Sequence, residues 1–190
     1  MSGAGAELIG PFLGLALVGG ALGARFGRVA ALAGALAGFA LGFLPVDPVV
    51  TLAGFTLGVL GPSSASFLAL AALAALRLAT GAPVRGTRTF AALLLAMGLA
   101  LYPSAMGYVP YDLYREGFAG VGLPLALAGL VAVAVWRGST ALAIWFAMIA
   151  AVIVFRLHPS ANLWDAMIDV PSVVIAAGVL VASLARPRTV

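Results

Sequence analysis

Two segments in the second half of the chain hold the side chains best suited to chemistry. The first runs from 102 to 118 and contains the carboxylates Asp112 and Glu116, four residues apart. On a helical turn both would share one face, where paired carboxylates can bind a cation or perform acid and base steps. The candidate ligand-binding residues of this segment are Tyr111, Asp112, Tyr114, Arg115 and Glu116.

The tyrosines of this segment also have an ordinary interpretation. Tyrosine is enriched where membrane helices meet water, because its ring is apolar and its hydroxyl is polar. Tyr102, Tyr108, Tyr111 and Tyr114 would then form an aromatic belt rather than line a ligand site. Both interpretations place the segment at a membrane surface.

The second segment runs from 156 to 171 and repeats the four-residue spacing with Asp165 and Asp169. It also contains Arg156 and His158, the single histidine of the chain. Carboxylates and an imidazole can bind a hard cation, relay protons or pair with arginines. If a metal ion binds, we expect His158, Asp165 and Asp169 to be its ligands.

Helix capping is the competing interpretation of several acids. Asp47 immediately precedes a proline, and Asp169 precedes one by two positions, as is typical of helix starts. Asn162 lies three residues before Asp165, which resembles a variant of the capping box. Under this interpretation the acids stabilise helix ends, and the arginines of the same segments neutralise them.

A third candidate site is the turn at 61–64, with Gly61, Ser63 and Ser64. It follows the apolar stretch 48–60, which at about 1.5 Å per residue is shorter than a bilayer core of about 30 Å. We therefore expect 48–60 to be a half-span or a re-entrant helix. The amides and hydroxyls of the turn would meet a polar solute, and the start of the next helix favours an anion. A plain short loop is the alternative.

Composition determines the elements that position these residues. Hydrophobic residues make up 64% of the chain, charged residues 8%, and the mean hydropathy is +1.18. So little polar surface cannot coat a soluble globule of 190 residues. The apolar stretches do not alternate, which excludes a barrel. The sequence therefore predicts an all-α integral membrane protein, a polytopic helical bundle.

Charge distribution predicts the topology. The apolar stretches cover about 8–24, 29–44, 48–60, 64–79, 90–108, 120–136, 139–157 and 170–185. With 48–60 re-entrant, seven stretches cross, and all arginines except Arg115 and Arg156 fall on one side, as the positive-inside rule requires. All six acids fall on the other side. Glu7 precedes the first stretch and Arg25 follows it, the reverse of a signal peptide, so we expect a retained helix with its N-terminus outside.

The chain is expected to form a single membrane domain, 1–190, with two differently built parts. Residues 1–80 carry glycines at four-residue spacing, which lets helices approach closely. Residues 90–185 carry all the tryptophans and tyrosines and both outer polar segments. No sequence repeat relates the two parts, which argues against an inverted-repeat transporter.

Several functions are excluded or disfavoured. The chain has no cysteine and one histidine, so it can hold neither a thiolate-bound metal nor a bis-histidine haem, and no other cofactor is evident. A bound hard cation is the one inorganic ligand that the acids allow. The basic residues are dispersed arginines without a basic stripe, which argues against nucleic acid as a partner. Hydrolase, phosphate-loop and dinucleotide motifs do not occur.

Three functions are compatible with these features. The preferred one is a non-catalytic accessory or assembly subunit of a membrane complex, with a polar, acidic outer face. The alternatives are a small transporter or channel for a cation or polar solute, and an outer-face membrane hydrolase or transferase that uses carboxylates. The bilayer is the expected partner, with other membrane proteins or a second copy. Richness in alanine, glycine and arginine without lysine suggests a bacterial inner membrane, with the C-terminus in the cytoplasm.

Overall fold

The computed structural model describes residues 7–184, and this part of the chain is built from helices. The only pairing of β type within it is an isolated bridge between Pro45 and Thr51. The predicted all-α class is therefore confirmed. The helices are α1 (Ile9–Gly23), α2 (Arg28–Leu41), α3 (Leu52–Leu60), α4 (Ala65–Thr80), α5 (Thr87–Ala105), α6 (Glu116–Ala119), α7 (Gly122–Arg137), α8 (Thr140–Val154), α9 (Leu163–Met167) and α10 (Val170–Leu184).

Two helical segments are long and apolar enough to cross a membrane, judged by length and composition. They are Ile9–Phe26, which joins α1 to a short 3-10 turn, and Thr87–Ala105, which is α5. The apolar helices α2, α4, α7, α8 and α10 are shorter, between 10 and 17 residues. These two candidate spans suggest a membrane protein.

One end of the bundle gathers the connections that carry arginines. The Arg28 guanidinium donates to the carbonyl oxygen of Thr80 at 3.5 Å, which joins the start of α2 to the end of α4. The Ala141 N–H donates to the Arg85 carbonyl at 3.0 Å, which joins α8 to the α4–α5 connection. We call this the arginine end. Its arginines are Arg25, Arg28, Arg77, Arg85, Arg88 and Arg137, whereas Arg186 and Arg188 lie outside the described residues.

The opposite end gathers the acids. The starts of α4 and α10 meet there, because the Ser64 N–H donates to Asp169 at 2.9 Å. The start of α1 also lies there, since Gly10 packs directly against Ser63. The end of α2 joins it as well, with the Phe12 and Phe39 ring centroids 5.0 Å apart. We call this the acidic end.

Helix α3 begins and ends at the acidic end. Its first turn is tied to the end of α2 by the Ala53 N–H, which donates to the Gly42 carbonyl at 3.1 Å. Beyond its last residue the chain reaches Ser63, against α1. The helix begins at Leu52, four residues later than the apolar stretch, because the Asp47 carboxylate accepts the N–H groups of Val49 and Val50 and closes a turn. Thr51, not Asp47, is the N-cap.

The remaining long helices run between the two ends, and they pack in two ways. Glycines join α1 to α2 so closely that a Cβ on Gly19 or Gly34 would overlap the backbone of the facing helix. Helices α4, α5, α8 and α10 instead share a core of large side chains, in which Trp145 is fully buried beside Phe90. The Trp145 indole N–H donates to the Ser66 hydroxyl at 2.9 Å, so this buried polar group has a partner.

Candidate functional site

The two polar segments, 102–118 and 156–171, meet at Asp165. One of its carboxylate oxygens accepts the Tyr114 hydroxyl at 2.8 Å and the Ser160 hydroxyl at 2.6 Å. Tyr114 belongs to the segment before α6, and Ser160 to the loop before α9. Hydrogen bonds to a carboxylate are stronger than bonds between neutral groups, so this contact fixes the two segments to each other.

Asn162 makes the second link between the segments, and its side chain is fully buried. Its amide nitrogen donates to the Tyr114 carbonyl at 3.0 Å, while its oxygen accepts the Trp164 N–H at 2.9 Å and caps α9. Gly117 packs so closely that a Cβ there would overlap the Asn162 oxygen. The Trp164 indole N–H adds a bond to the Leu113 carbonyl at 2.7 Å. We call Tyr114, Ser160, Asn162, Trp164 and Asp165 the polar cap.

One of the two hydrogen bonds of a capping box is present in this region, and the reciprocal one is absent. Asn162 is the N-cap of α9, as its position predicts. Asp165 does not return to the Asn162 N–H, which donates instead to the Ser160 hydroxyl at 3.0 Å. Asp165 is thereby free to bind Tyr114.

Asp169 connects two helices at the acidic end. One oxygen accepts the Ser64 N–H at the start of α4, and the other accepts the Ser172 N–H at 2.7 Å in the first turn of α10. The predicted capping of the last helix is therefore observed. The start of α4 does attract an anion, as helix N-termini do, but here the anion is the chain's own carboxylate.

The turn at 61–64 is filled by contacts within the protein. Ser64 is fully buried and is the N-cap of α4, because its hydroxyl accepts the Phe67 N–H at 3.2 Å. Gly10 of α1 packs directly against Ser63. Gly61 has a left-handed backbone with φ of 78°, which suits glycine at the end of α3. These residues also border a cavity, described below.

Asp112 and Glu116 each bond within their own segment. The Asp112 carboxylate accepts the Arg115 N–H at 3.1 Å and closes an exposed turn. The Glu116 carboxylate accepts the Tyr111 hydroxyl at 2.9 Å, and this bond raises the pKa of Tyr111 above its ordinary value. The pair therefore shows local contacts, whereas Asp165 and Asp169 connect distant parts of the chain.

Arg156 and His158 line a pocket of about 550 Å³ outside the end of α8. Its floor and walls include Val152, Ile153 and Leu163. His158 is half-buried, and its Nδ1 accepts the Ser160 N–H at 3.2 Å. Burial lowers the pKa of His158, and the negative charges of nearby acids oppose this effect only in part. The folded protein therefore favours a neutral imidazole.

A second cavity, of about 290 Å³, lies between α1, α3, α4 and α10. Its walls are mostly apolar, with Phe67 and Ile175 among them, and Ser63 and Asp169 supply its polar side. The sequence does not predict this cavity, because it depends on how four separate helices meet. Gly14, in the cavity wall, keeps the α1 surface clear of the Phe67 ring.

A metal ion would need several of these groups to converge. Among residues 7–184, no three His, Asp or Glu side chains are arranged to hold one. The oxygens of Asp165 and Asp169 accept hydrogen bonds from neutral donors instead. Binding of a hard cation through His158 and these two acids stays a prediction.

Some residues of the site were not singled out by sequence. Ser66 and Trp145 form a buried hydrogen bond, although hydroxyl and indole groups inside apolar helices carry no local pattern. The Tyr102 hydroxyl is buried without a hydrogen-bond partner, at the side of α5 that faces α10. Tyr102 itself is visible in the sequence, but only as part of an aromatic belt.

Fold and site together define a small helical protein with two candidate membrane spans and a hydrogen-bonded polar cap at its acidic end. Comparison with known proteins finds no family model, curated protein or solved structure that matches the chain. The function is therefore argued from the residues themselves.

Proposed function

We propose that the chain is a polytopic protein of a bacterial inner membrane, with its acidic end outside and its arginine end in the cytoplasm. Helices α1, α2, α4, α5, α7, α8 and α10 would cross, and α3 would be re-entrant from outside. The contacts of the two ends support this, because short loops rich in arginine stay on the cytoplasmic side. In this topology the N-terminus is outside and the C-terminus is in the cytoplasm.

The crossing helices are short for a bilayer. They contain between 14 residues, in α2, and 19 residues, in α5. At about 1.5 Å per residue they extend about 21 to 28 Å, against a hydrocarbon core of about 30 Å. A locally thinned bilayer or loops inside the interface would close this difference, at a modest free-energy cost.

For its role, we infer a non-catalytic accessory or assembly subunit. The observation that carries this proposal concerns the Asp165 carboxylate of the polar cap. One of its oxygens accepts hydrogen bonds from the Tyr114 and Ser160 hydroxyls. An acid or base catalyst must present its carboxylate to a substrate. A carboxylate that instead accepts hydrogen bonds from its own chain holds two segments rigidly together. A rigid outer face is what we expect of a surface that a partner protein recognises.

Helix α7 offers the best surface for such a partner. Ala134 is its one buried residue among 16, and Leu125 and Trp136 are 68% and 81% exposed. Helices that meet only lipid need no specific side chains, so lipid alone could also cover α7. Binding of a partner membrane protein or a second copy should be weakened by single substitutions on α7, whereas contact with lipid should not.

The test is purification of the full chain from its native membrane in mild detergent. We expect a partner at fixed stoichiometry, and Leu125→Trp should reduce its recovery. Leu36→Trp on α2 is the matched control, since Leu36 is 73% exposed and lies on a different helix. A single monodisperse chain that carries a specific ligand, or equal recovery from both variants, would contradict the proposal.

A second candidate function is a small transporter or channel, because Asp169 lines the mostly apolar 290 Å³ cavity. Reconstituted protein would then carry a cation or polar solute into liposomes. Asp169→Asn should abolish the flux, while Asp112→Asn, in an exposed turn, should not. Absence of flux for every tested ion, with verified insertion, would remove the cation version. The outer-face hydrolase or transferase stays a prediction without a contact of the described residues that favours it.

A further inference from the structure

The pocket beside α8 begins with an unusual backbone position. Arg156 has a φ of 51°, and it is the one residue other than glycine with a positive φ among residues 7–184. The Arg156 N–H donates to the Ile153 carbonyl at 3.3 Å, and the Leu157 N–H to the Val152 carbonyl at 3.0 Å. This pattern is the Schellman motif, in which glycine is the usual residue at the left-handed position. Arginine there is strained, which suggests that its side chain has a use.

The pocket walls combine two chemistries. Val152 and Ile153 belong to the last turn of α8, and Leu163 and Ala166 come from α9. The polar side is formed by Arg156, His158, Ser160 and Asn162. A ligand that fits must therefore carry a polar group and an apolar part.

Two side chains of the polar side offer hydrogen-bond donors. The His158 Nδ1 accepts a backbone N–H, so the proton of a neutral ring lies on Nε2, which can donate a hydrogen bond. The exposed Arg156 guanidinium provides further donors and a permanent positive charge. By contrast, the Ser160 hydroxyl donates to Asp165, and both ends of the Asn162 amide have partners.

We propose that this pocket binds the phosphate group of an anionic membrane lipid, with Arg156 as the charge partner and His158 as a second donor. The lipid tails would follow the apolar end of α8, where Val154 and Phe155 are both exposed. Arginine and phosphate match in geometry as well as in charge. The charges of Glu7, Asp165 and Asp169 oppose an anion, but the Asp165 and Asp169 carboxylates accept hydrogen bonds that stabilise their charge within the protein. The location of this lipid rests on the proposed membrane topology.

The single histidine provides a direct probe. Purified full-length protein in a phosphate-free maltoside detergent, labelled at histidine, gives one imidazole signal in NMR spectra. We expect short-chain phosphatidylglycerol to shift this signal saturably and to raise the titration midpoint of His158, because a bound anion favours the imidazolium. Phosphatidylcholine, whose net charge is zero, should act far more weakly.

Arg156→Gly is the decisive variant, because glycine suits the left-handed backbone and removes only the side chain. It should fold at least as well as the natural chain and bind phosphatidylglycerol about ten-fold or more weakly. Arg88→Ala, an exposed arginine at the arginine end, is the control and should bind normally. Unchanged binding by Arg156→Gly would overturn the proposal, as would the absence of a saturable shift in the natural chain.

A phosphate group could come from a lipid or from free phosphate, and a titration with inorganic phosphate distinguishes these two sources. A response confined to the lipid supports a lipid site, whereas an equal response to free phosphate would overturn the lipid as the ligand. Binding in detergent depends neither on a partner protein nor on the number of crossing helices. Failure of this experiment therefore leaves the proposed accessory role intact, and failure of co-purification leaves this site intact.

Discussion

The Ser64 N–H donates to the Asp169 carboxylate at 2.9 Å, across 105 residues of sequence. The same carboxylate caps α10 through the Ser172 N–H. One acid therefore satisfies unpaired backbone groups at the starts of two helices, where negative charge is also favoured by the helix dipoles. This contact joins the turn after α3 to the segment 156–171, and so connects two regions that the sequence presents as separate candidate sites.

Asp169→Ala is expected to destabilise the protein by about 2 to 4 kcal/mol. Loss of a helix cap costs about 1 kcal/mol, and a buried N–H without a partner adds about 1 to 3 kcal/mol. Asp169→Asn should cost less, because its amide oxygen can still accept one of the two bonds. The free energy of unfolding in mixed detergent micelles, followed by circular dichroism, measures both effects.

Asp112→Ala is the matched control for this prediction. Asp112 is also an acid that accepts a backbone N–H, but the turn is exposed and joins nothing distant. Its loss should therefore cost less than about 1 kcal/mol, since water replaces the bond. Equal losses for Asp112→Ala and Asp169→Ala would show that the contact with Ser64 contributes nothing.

Local signals explain which parts of this arrangement are predictable. A proline two residues after Asp169 marks a helix start, so the cap of α10 can be read from the sequence. The bond to Ser64 cannot, because it depends on tertiary packing of α4 against α10. The start of α3 shows the limit of local rules as well: Asp47 before Pro48 resembles a cap, yet its carboxylate closes a turn and Thr51 caps the helix.

Tyr114→Phe should weaken the polar cap by about 1 kcal/mol, because it removes a hydrogen bond to a charged group at a partly exposed site. The hydrogen bond to Asp165 raises the pKa of Tyr114 above that of a free tyrosine, with burial and the Asp165 charge adding to the effect and the Asn162 side chain opposing it. The stabilisation is therefore complete below a pH of about 10 and is lost as pH rises through the raised pKa. Unfolding free energies of both proteins between pH 7 and 11 measure this.

Tyr108→Phe serves as the control for the same pH series, since Tyr108 is 80% exposed. It should match the natural chain at every pH. Adding Asp165→Asn to each protein completes the comparison: the effect of Tyr114→Phe should become smaller in that background. An effect of the same size with Asp165 and with Asn at 165 would contradict the proposed bond.

His158→Asn should remove a pH dependence of the protein's stability and preserve the loop conformation at 158–160. The Asn oxygen can accept the Ser160 N–H as the His158 Nδ1 does. Because burial lowers the pKa of His158 in the folded protein, its stabilising effect is present above about pH 6.5 and is lost as pH falls through the lowered pKa. We expect the natural chain, but not the variant, to lose stability between pH 6.5 and 5. A titration midpoint at or above 6.5 for the imidazole NMR signal, in phosphate-free detergent, would refute this.

Glycine-to-alanine substitutions at two helical positions, Gly34 in the contact between α1 and α2 and Gly58 in α3, should have contrasting effects on stability. Gly34→Ala should prevent the native pairing of these helices or cost about 1 to 3 kcal/mol or more, because its Cβ would overlap the Gly19 backbone, which cannot rotate away. Gly58→Ala, in α3, meets nothing within 4 Å and should be neutral or stabilising by up to about 1 kcal/mol, since alanine favours helices. Thermal unfolding in detergent compares both variants. Equal stability would mean that α1 and α2 do not pack this closely, and the four-residue glycine spacing would then have no structural role.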